Sequence, residues 1–282
     1  MILVTGATGT VGSETVKALK AKGQAVTAAS RDPKKAEAAL GVPAVAWDWE
    51  QPAGFAAALA GVDTLFLLTP PGTTKDPDYG LAAVAAAKAA GVKKIVKLSA
   101  IGAERDPQNP HRVVELAIEA GGFAWTFLRP SFFMQNLAEG GAYTIKHEGA
   151  IYQPTGDGKT GMIDARDIGA VAAEALTRKD LEAHGLTLTG SQALSYAEMA
   201  AQISQATGKA VKHVDVSPED FKAGLLKAGL PEHYAAFLTT LMGFVKAGYT
   251  AQVTDEVKAV LGREPITFAQ FAKDYAQVWV WA

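Results

Sequence analysis

The sequence contains no cysteine among its 282 residues. This absence excludes disulfide frameworks, thiolate nucleophiles and cysteine-ligated zinc. Histidine offers no replacement set of ligands, because four of the five histidines are scattered along the chain without metal-ligand spacing: His147, His184, His213 and His233. We therefore expect no metal site.

Long apolar runs and an excess of one charge are also missing. No run reaches the roughly 18 apolar residues that a membrane-spanning helix requires. The 27 basic residues are balanced by 29 acidic ones, which gives no electrostatic basis for binding nucleic acid or a membrane surface. No signal peptide precedes the first strand-like run. These absences predict a cytoplasmic protein that binds neither nucleic acid nor membranes.

A glycine-rich turn lies between a strand-like and a helix-like segment at the start of the chain. Residues 1–5 are apolar, and residues 13–22 carry apolar side chains at helical spacing. In a dinucleotide-binding loop the glycines permit the turn, the approach of the pyrophosphate and close helix packing, while the helix N-terminus attracts phosphate. An ordinary β–α turn is the alternative. The predicted cofactor contacts here are Gly6, Thr8, Gly9, Thr10, Val11 and Gly12.

Short apolar runs alternate with helical patterns through the first half of the chain. The predicted strands are residues 2–5, 25–29, 44–47, 64–68, 94–98 and 123–128, with one more at 185–189. The predicted helices between the first six are residues 10–22, 33–40, 53–60, 78–90 and 112–120. This alternation predicts an α/β fold with a doubly wound parallel (Rossmann) sheet.

The second half is mostly helical, with predicted helices at residues 164–176, 195–207, 218–228, 231–247 and 268–279 and a short strand at 211–216. We predict two domains. Residues 1–135 plus 160–190 form an NADP(H)-binding Rossmann domain, and residues 136–159 plus 191–282 form a smaller substrate-binding lid domain.

The residues after the second predicted strand bear on the choice of cofactor. Ligands bind beyond the carboxyl ends of parallel strands, where an acidic residue favours NAD(H) and cationic residues favour NADP(H). Asp32 is present here, but Arg31 lies nearer the strand end and Lys35 follows. We therefore predict NADPH, with NADH binding more weakly, through Arg31 and Lys35. The alternative is that these charges are solvated residues at a helix start.

Further contacts are predicted after the third to sixth strands. The cofactor contacts are Asp48, Thr69, Pro70, Ser99, Pro130, Ser131 and Phe132. Asp48 would contact the adenine edge or else cap a loop, and the prolines of residues 69–72 would stiffen a loop along the ribose. The predicted substrate contacts form an apolar wall of Phe132, Phe133, Met134, Asn136 and Met242, for which core packing is the alternative.

Together the motifs at residues 6–12, 31–35, 128–136, 163–168 and 261–268 resemble the NmrA-like branch of atypical short-chain dehydrogenases/reductases. Within it the chain is similar to flavin-free NADPH-dependent quinone reductases, azoreductases and triphenylmethane-dye reductases. This resemblance implies an oxidoreductase that uses NADPH without flavin or metal, acts on a small aromatic or quinoid substrate, and exists as a monomer or homodimer. The branch also contains NADP(H)-sensing regulators without turnover, which is the alternative function.

One feature of typical short-chain reductases is missing, the Tyr-x-x-x-Lys motif that supplies a tyrosine acid. Tyr143 is followed by lysine at the third position, and the expected place after Ser99 holds His111 to Glu115. Alcohol–ketone chemistry and sugar-nucleotide epimerisation are therefore not expected. Azo compounds and quinones are compatible, since their anions are stabilised by conjugation or protonated by water.

His111 and Ser99 are the predicted catalytic residues. A histidine pKa near neutrality suits a proton donor, and Glu115 lies one helical turn further on, where it would orient His111. Ser99 would hydrogen-bond the substrate oxygen or the nicotinamide ribose. The alternatives are that His111 is a surface or supporting residue at a helix start and that Ser99 only ends a strand.

Overall fold

The structure is a computed structural model that describes residues 1–70 and 72–280. In that part of the chain the strands are β1 (Ile2–Val4), β2 (Val26–Ser30), β3 (Ala44–Ala46), β4 (Thr64–Leu67), β5 (Lys94–Leu98), β6 (Ala124–Pro130), β7 (Ala150–Tyr152), β8 (Lys159–Thr160), β9 (His184–Leu188), β10 (Leu194–Ser195) and β11 (Lys212–Val214). The helices are α1 (Thr10–Ala21), α2 (Pro33–Leu40), α3 (Phe55–Ala58), α4 (Asp76–Ala89), α5 (Pro110–Ala120), α6 (Ala142–Glu148), α7 (Ala165–Thr177), α8 (Tyr196–Thr207), α9 (Pro218–Lys227), α10 (Glu232–Lys246), α11 (Glu256–Leu261), α12 (Phe268–Asp274) and α13 (Ala276–Trp279). Short 3₁₀ turns occur at Pro52–Gly54, Ala103–Arg105 and Met134–Leu137.

Seven strands form one sheet in the order β3-β2-β1-β4-β5-β6-β9, and every neighbouring pair in it is parallel. The predicted doubly wound parallel sheet is therefore confirmed. Strand order reverses beside β1, which pairs with both β2 and β4. Crevices at such reversal points bind ligands at the carboxyl ends of the strands.

The chain divides into two compact units. Unit 1 comprises Met1–Pro130, Ala165–Leu188 and Ala259–Gly262, and unit 2 comprises Ser131–Asp164, Thr189–Lys258 and the chain from Arg263. The observed divisions follow Pro130, Asp164 and Leu188, where the sequence analysis placed them after residues 135, 159 and 190. Ala259–Gly262 belongs to unit 1, although the sequence analysis placed it in the second domain. The predicted second domain ended at residue 282, and residues 281–282 lie outside the described residues.

Unit 1 packs its helices against the sheet around a core that includes Leu3, Leu65, Ile95, Phe127 and Ile118. Helices α1 and α7 lie against each other in this unit. Their contact depends on Gly169, because a Cβ atom there would lie 2.6 Å from the Glu14 Cβ and 2.8 Å from the Thr15 nitrogen. The glycine therefore permits a backbone approach that a side chain would prevent.

Unit 2 has a separate core that includes Ile145, Met199, Phe271 and Trp279. Its short strands pair as β7 with β11, parallel, and as β8 with β10, antiparallel. The sequence analysis missed β7, β8 and β10, which are only two or three residues long. It also missed α6 and α11, and the single helix predicted over residues 268–279 is interrupted at Tyr275 between α12 and α13.

Two searches of residues 1–70 and 72–280 gave negative results. None of the helices there has both the length and the apolar character needed to cross a membrane. No cluster of three histidine or acidic side chains in that part of the chain is arranged to hold a metal ion.

We predict that Gly169→Ala lowers the free energy of unfolding by about 1–3 kcal/mol, the usual penalty for forcing a methyl group into a packed contact. Urea unfolding at neutral pH measures it. Gly224→Ala is the matched control, since a Cβ there, in helix α9, meets nothing within 4 Å. The control should raise stability by about 0.5–1 kcal/mol through helix propensity. A gain for both variants would contradict the close packing of α1 on α7.

Candidate functional site

The glycine-rich turn leads from β1 directly into α1. Gly6 has φ +58°, a left-handed conformation that favours glycine. A Cβ at Gly12 would lie 2.1 Å from the Gly6 carbonyl oxygen, and one at Gly9 would lie 3.3 Å from it. Helix α1 begins at Thr10, and its N-cap Gly9 provides no capping side chain. The first-turn amides thus lie beside a backbone surface without side chains, which fits a pyrophosphate group.

Thr5 was missed by the sequence analysis and joins this turn to the neighbouring strand. Its hydroxyl oxygen accepts a hydrogen bond from the Leu68 amide at 2.7 Å and lies 3.0 Å from the Leu68 carbonyl oxygen. Leu68 leads into Thr69 and Pro70, which are half-buried, while Pro71 lies outside the described residues. The carboxyl ends of β1 and β4 are therefore held together beside the glycine turn.

The charged residues after β2 have different surroundings. Asp32 is the N-cap of α2, where its carboxylate accepts a hydrogen bond from the Lys35 amide at 3.0 Å. Its own amide donates to the Ser30 hydroxyl at 3.2 Å. Arg31 and the Lys35 side chain are exposed. The acidic group is thus bound to a helix start, while the cationic groups are accessible.

Asp48 takes one of the two roles that the sequence left open, that of a loop cap. Its carboxylate accepts hydrogen bonds from the Glu50 amide and the Gln51 side chain, each at 3.1 Å, so it caps its loop. It also lines a cleft of about 430 Å³ with Val45, Gln51 and Ala57. A contact with adenine at this carboxylate stays a prediction.

Ser99 follows β5 and donates its hydroxyl proton to the Glu115 carboxylate at 2.7 Å. Arg129 binds the same carboxylate through two hydrogen bonds of 3.0 and 2.8 Å, and Arg112 adds a third cationic bond at 3.0 Å. Gly185 makes room for this arrangement, because a Cβ there would lie 2.5 Å from the Arg129 guanidinium. One connected group of side chains therefore surrounds Glu115, and its other members are Ser99, Arg112 and Arg129.

The Glu115 carboxylate is completely buried. Burial alone would raise its pKa, but hydrogen bonds from Arg129, Ser99 and Arg112 outweigh burial and lower the pKa below the ordinary value. The group is ionised at neutral pH and its oxygens are engaged by these three donors. Orientation of His111 by Glu115, which the sequence suggested, is not what the side chains show.

The group that faces His111 is Lys97, which the sequence analysis missed. The Lys97 ammonium lies 3.1 Å from Nδ1 of His111 and donates to the Leu98 carbonyl oxygen at 3.0 Å. Asp76 is more distant, with its carboxylate 3.7 Å from the same Nδ1. The available signal was a lysine inside the apolar run Ile95-Val-Lys-Leu98, where a charged side chain must find partners.

Both bases of this pair titrate below their ordinary range. Burial, partly opposed by Asp76 and Glu115, lowers the pKa of Lys97 to about 8. Burial and the Lys97 charge lower the pKa of His111, although 31% of its side chain remains exposed. At neutral pH Lys97 is therefore an ammonium and His111 a neutral imidazole. The near-neutral pKa that the sequence analysis assumed for His111 is wrong, because burial of the ring and the neighbouring Lys97 charge both lower it.

The remaining predicted residues lie at or after the end of β6, and their surroundings differ. Pro130 ends β6 in unit 1 and is buried. Ser131, Met134 and Met242 are buried in unit 2, Phe132 and Phe133 are half-buried, and Asn136 is exposed. Met134 lines a cavity of about 10 Å³ in that unit, which holds a water molecule at most. Met134 and Met242 belong to the core of unit 2, and their contact with a substrate stays a prediction.

A family model described as the NmrA-like family matches residues 1–272 of the chain. The chain belongs to the NmrA-like family. This result confirms the resemblance seen in the sequence motifs.

Several known proteins match this chain over most of its length. An NAD(P)H azoreductase from Xenophilus azovorans is 41% identical and covers 98% of this chain and 98% of its own length. Quinone oxidoreductase 2 of Escherichia coli is 30% identical, with 84% of this chain and 85% of that protein covered. The crystal structure of Citrobacter sp. triphenylmethane reductase complexed with NADP(H) superposes with a TM-score of 0.87 at 28% identity, covering 98% and 100% of the two chains.

We predict that Glu115→Gln lowers the free energy of unfolding by about 3–5 kcal/mol at pH 7, because the half-buried Arg112 and Arg129 guanidinium groups lose a fully buried counter-charge. Glu119→Gln is the matched control on the same helix. It pairs with the same Arg112 but is 30% exposed, so its loss should be about 0–1 kcal/mol.

The predicted loss depends on pH in a direction that follows from the lowered pKa of Glu115. The carboxylate stabilises the folded state above its unfolded pKa of about 4.3, and this contribution disappears as the pH falls through the lower folded value. Urea unfolding of wild type and Glu115→Gln between pH 7 and pH 3 measures the difference. A difference that stays constant with pH would contradict the ion pairing.

Proposed function

We propose that this protein is an NADPH-dependent reductase that transfers a hydride, without flavin, to a flat conjugated acceptor such as an azo compound or a quinone. The reductase class is supported by the NAD(P)H azoreductase and quinone oxidoreductase relatives. The observation that carries the proposal is a glycine turn shaped for a dinucleotide, in a unit that also holds a neutral histidine in place of an acidic tyrosine.

NADPH is held by the backbone of Gly6, Gly9 and Gly12, with the pyrophosphate at the start of α1. Arg31 and Lys35 bind the 2′-phosphate, since both are exposed while Asp32 is bound to the start of α2. Further contacts come from Thr8, Thr10, Val11, Asp48, Thr69, Pro70, Ser99, Pro130, Ser131 and Phe132. When bound, NADPH supplies the hydride, and the protein contributes binding and orientation.

The acceptor must tolerate a site without a strong acid. Reduction of an azo bond places a hydride on one nitrogen and a proton on the other, and the second nitrogen is strongly basic. His111 provides that proton from Nε2, because its Nδ1 faces the Lys97 ammonium. A quinone needs less help, since hydride addition leaves a conjugated quinolate that water protonates. We expect a cytoplasmic monomer or homodimer whose acceptor contacts Phe132, Phe133, Met134, Asn136 and Met242.

The experiment that tests the proposal follows NADPH absorbance with a quinone and with an azo dye, under air and under nitrogen, without added flavin. Sustained multiple turnover supports the reductase. Tight dinucleotide binding without turnover on either acceptor contradicts it and supports the alternative, an NADP(H)-sensing regulator. The anaerobic arm separates true acceptor reduction from redox cycling with oxygen.

We predict that Arg31→Ala raises KM for NADPH much more than KM for NADH, because charge-assisted bonds to the 2′-phosphate are lost. The difference between the two effects should correspond to about 1–3 kcal/mol of binding free energy. NADH is the internal control, since it lacks that phosphate. Steady-state kinetics with both cofactors measures the ratio. Equal effects on KM for both cofactors would contradict a contact between Arg31 and the 2′-phosphate.

We predict that His111→Ala lowers kcat/KM for an azo acceptor by up to ~10²-fold, which is the lower end of general acid–base contributions. The loss of kcat/KM for a quinone should be smaller. The control is His184→Ala, an exposed histidine whose ring bonds the Glu182 carbonyl oxygen. Equal losses of about a hundredfold on both acceptors would contradict water protonation of the quinolate. No loss on either acceptor would leave His111 with a structural role only.

A further inference from the structure

We propose that Lys97 is the proton source for His111, so that the two side chains form a relay that protonates a basic acceptor. Lys97 also sets the tautomer of the ring, with the proton on Nε2. This inference rests on the proposed function, because it names the group that supplies the proton in that reaction.

The hydrogen-bond geometry determines the tautomer. An ammonium has three donors and no acceptor, so at 3.1 Å from Lys97 the Nδ1 atom of His111 must accept. Asp76 would favour the opposite tautomer, but its carboxylate is 3.7 Å from Nδ1, beyond hydrogen-bond range. The neutral ring therefore carries its proton on Nε2, which makes no hydrogen bond to residues 1–70 or 72–280.

The position of the pair suits proton delivery. Lys97 is only 1% exposed, whereas 31% of the His111 side chain is exposed. Solvent and small molecules therefore reach the lysine proton through the histidine ring rather than directly. The second lysine bond, to the Leu98 carbonyl oxygen at 3.0 Å, keeps the ammonium aligned with the end of β5.

The relay moves two protons and conserves charge. As hydride reaches one azo nitrogen, the Nε2–H bond of His111 breaks and its proton joins the other nitrogen. Nδ1 takes a proton from the Lys97 ammonium at the same time, so the imidazole remains neutral in the opposite tautomer. The ring then returns its Nδ1 proton to the Lys97 amine while Nε2 takes a proton from water, which restores the ammonium and the first tautomer together. The azo bond becomes a hydrazine, and NADPH is the reductant.

Charged groups on every neighbouring element support the two protonation states. Asp76 at the start of α4 and Glu115 on α5 favour the Lys97 ammonium, while Arg129 on β6 opposes it. The balance leaves Lys97 protonated at pH 7 and able to release its proton near pH 8. Azo reduction should therefore decline above about pH 8, whereas quinone reduction should stay nearly flat.

The first test measures the ring directly. Nitrogen-15 NMR of the wild-type protein at pH 7 reports which nitrogen of His111 carries the proton, with His111→Ala used to assign its signals. We expect an unprotonated Nδ1 and a protonated Nε2. In Lys97→Met, a substitution of matched length, the pKa of His111 should rise and the Nδ1-protonated form should become populated.

The second test measures turnover in the same variants. Lys97→Met should lower azo kcat by about tenfold or more, within the range of lost proton transfer, and change quinone kcat little. Lys94→Met is the matched control, because Lys94 is buried in the same strand but bonds the Arg178 carbonyl oxygen and Glu182. The control should leave both acceptors and the His111 signals unchanged.

Some outcomes would overturn the relay. These are a wild-type ring protonated on Nδ1, an unchanged azo rate in Lys97→Met, and an equal loss on both acceptors, which indicates a structural role. If Lys97→Met does not fold, the wild-type rate of azo reduction is measured in mixtures of light and heavy water. A curved plot of this rate against the deuterium fraction supports the transfer of two protons, and a straight line contradicts it. Absence of turnover on either acceptor contradicts the reductase, whereas turnover with the wrong tautomer contradicts the relay alone.

Discussion

A single buried carboxylate, that of Glu115, joins three elements at the carboxyl edge of the sheet in unit 1. It receives hydrogen bonds from Ser99 after β5, from Arg129 on β6 and from Arg112 on α5 itself. A buried charge of this kind is stable only when its partners are complete. The first turn of α5, which carries His111, is therefore held at one height relative to the end of β5. The distance between His111 and Lys97 depends on that constraint.

The same packing explains why a lysine is tolerated inside the sheet. Lys97 is a charged side chain on a strand whose neighbours are apolar, and burial of an ammonium is unfavourable unless donors and counter-charges are satisfied. The Leu98 carbonyl oxygen and His111 accept its protons, and Asp76 and Glu115 oppose its charge. The remaining imbalance lowers its pKa. Burial of Lys97 thus costs some stability, and it leaves an ammonium that releases its proton near pH 8.

The fold and the glycine-rich turn could be predicted from local patterns, whereas the partners of Ser99 and His111 could not. The pattern of Gly6, Gly9 and Gly12 can be recognised within twelve residues of chain. The alternation of strands and helices can likewise be recognised without knowledge of tertiary contacts. The pairing of Ser99 with Glu115 and of Lys97 with His111 depends instead on which face of β5 meets α5. One residue of register would reverse it, because side chains alternate along a strand. The same dependence is why the pKa of His111 was assigned wrongly from the sequence.

The contacts of His111 and Lys97 can be compared with the Tyr-x-x-x-Lys motif that this sequence lacks. In that motif a lysine lowers the pKa of a tyrosine, so that a weak acid becomes a useful one. Here burial and a lysine act on a histidine, and together they lower its pKa well below the ordinary value. The result is a neutral donor, weaker than an imidazolium, and unable to stabilise an alkoxide by charge. Such a donor suits acceptors whose anions are already delocalised or basic enough to take a proton, which is the class of acceptor that we propose for this protein.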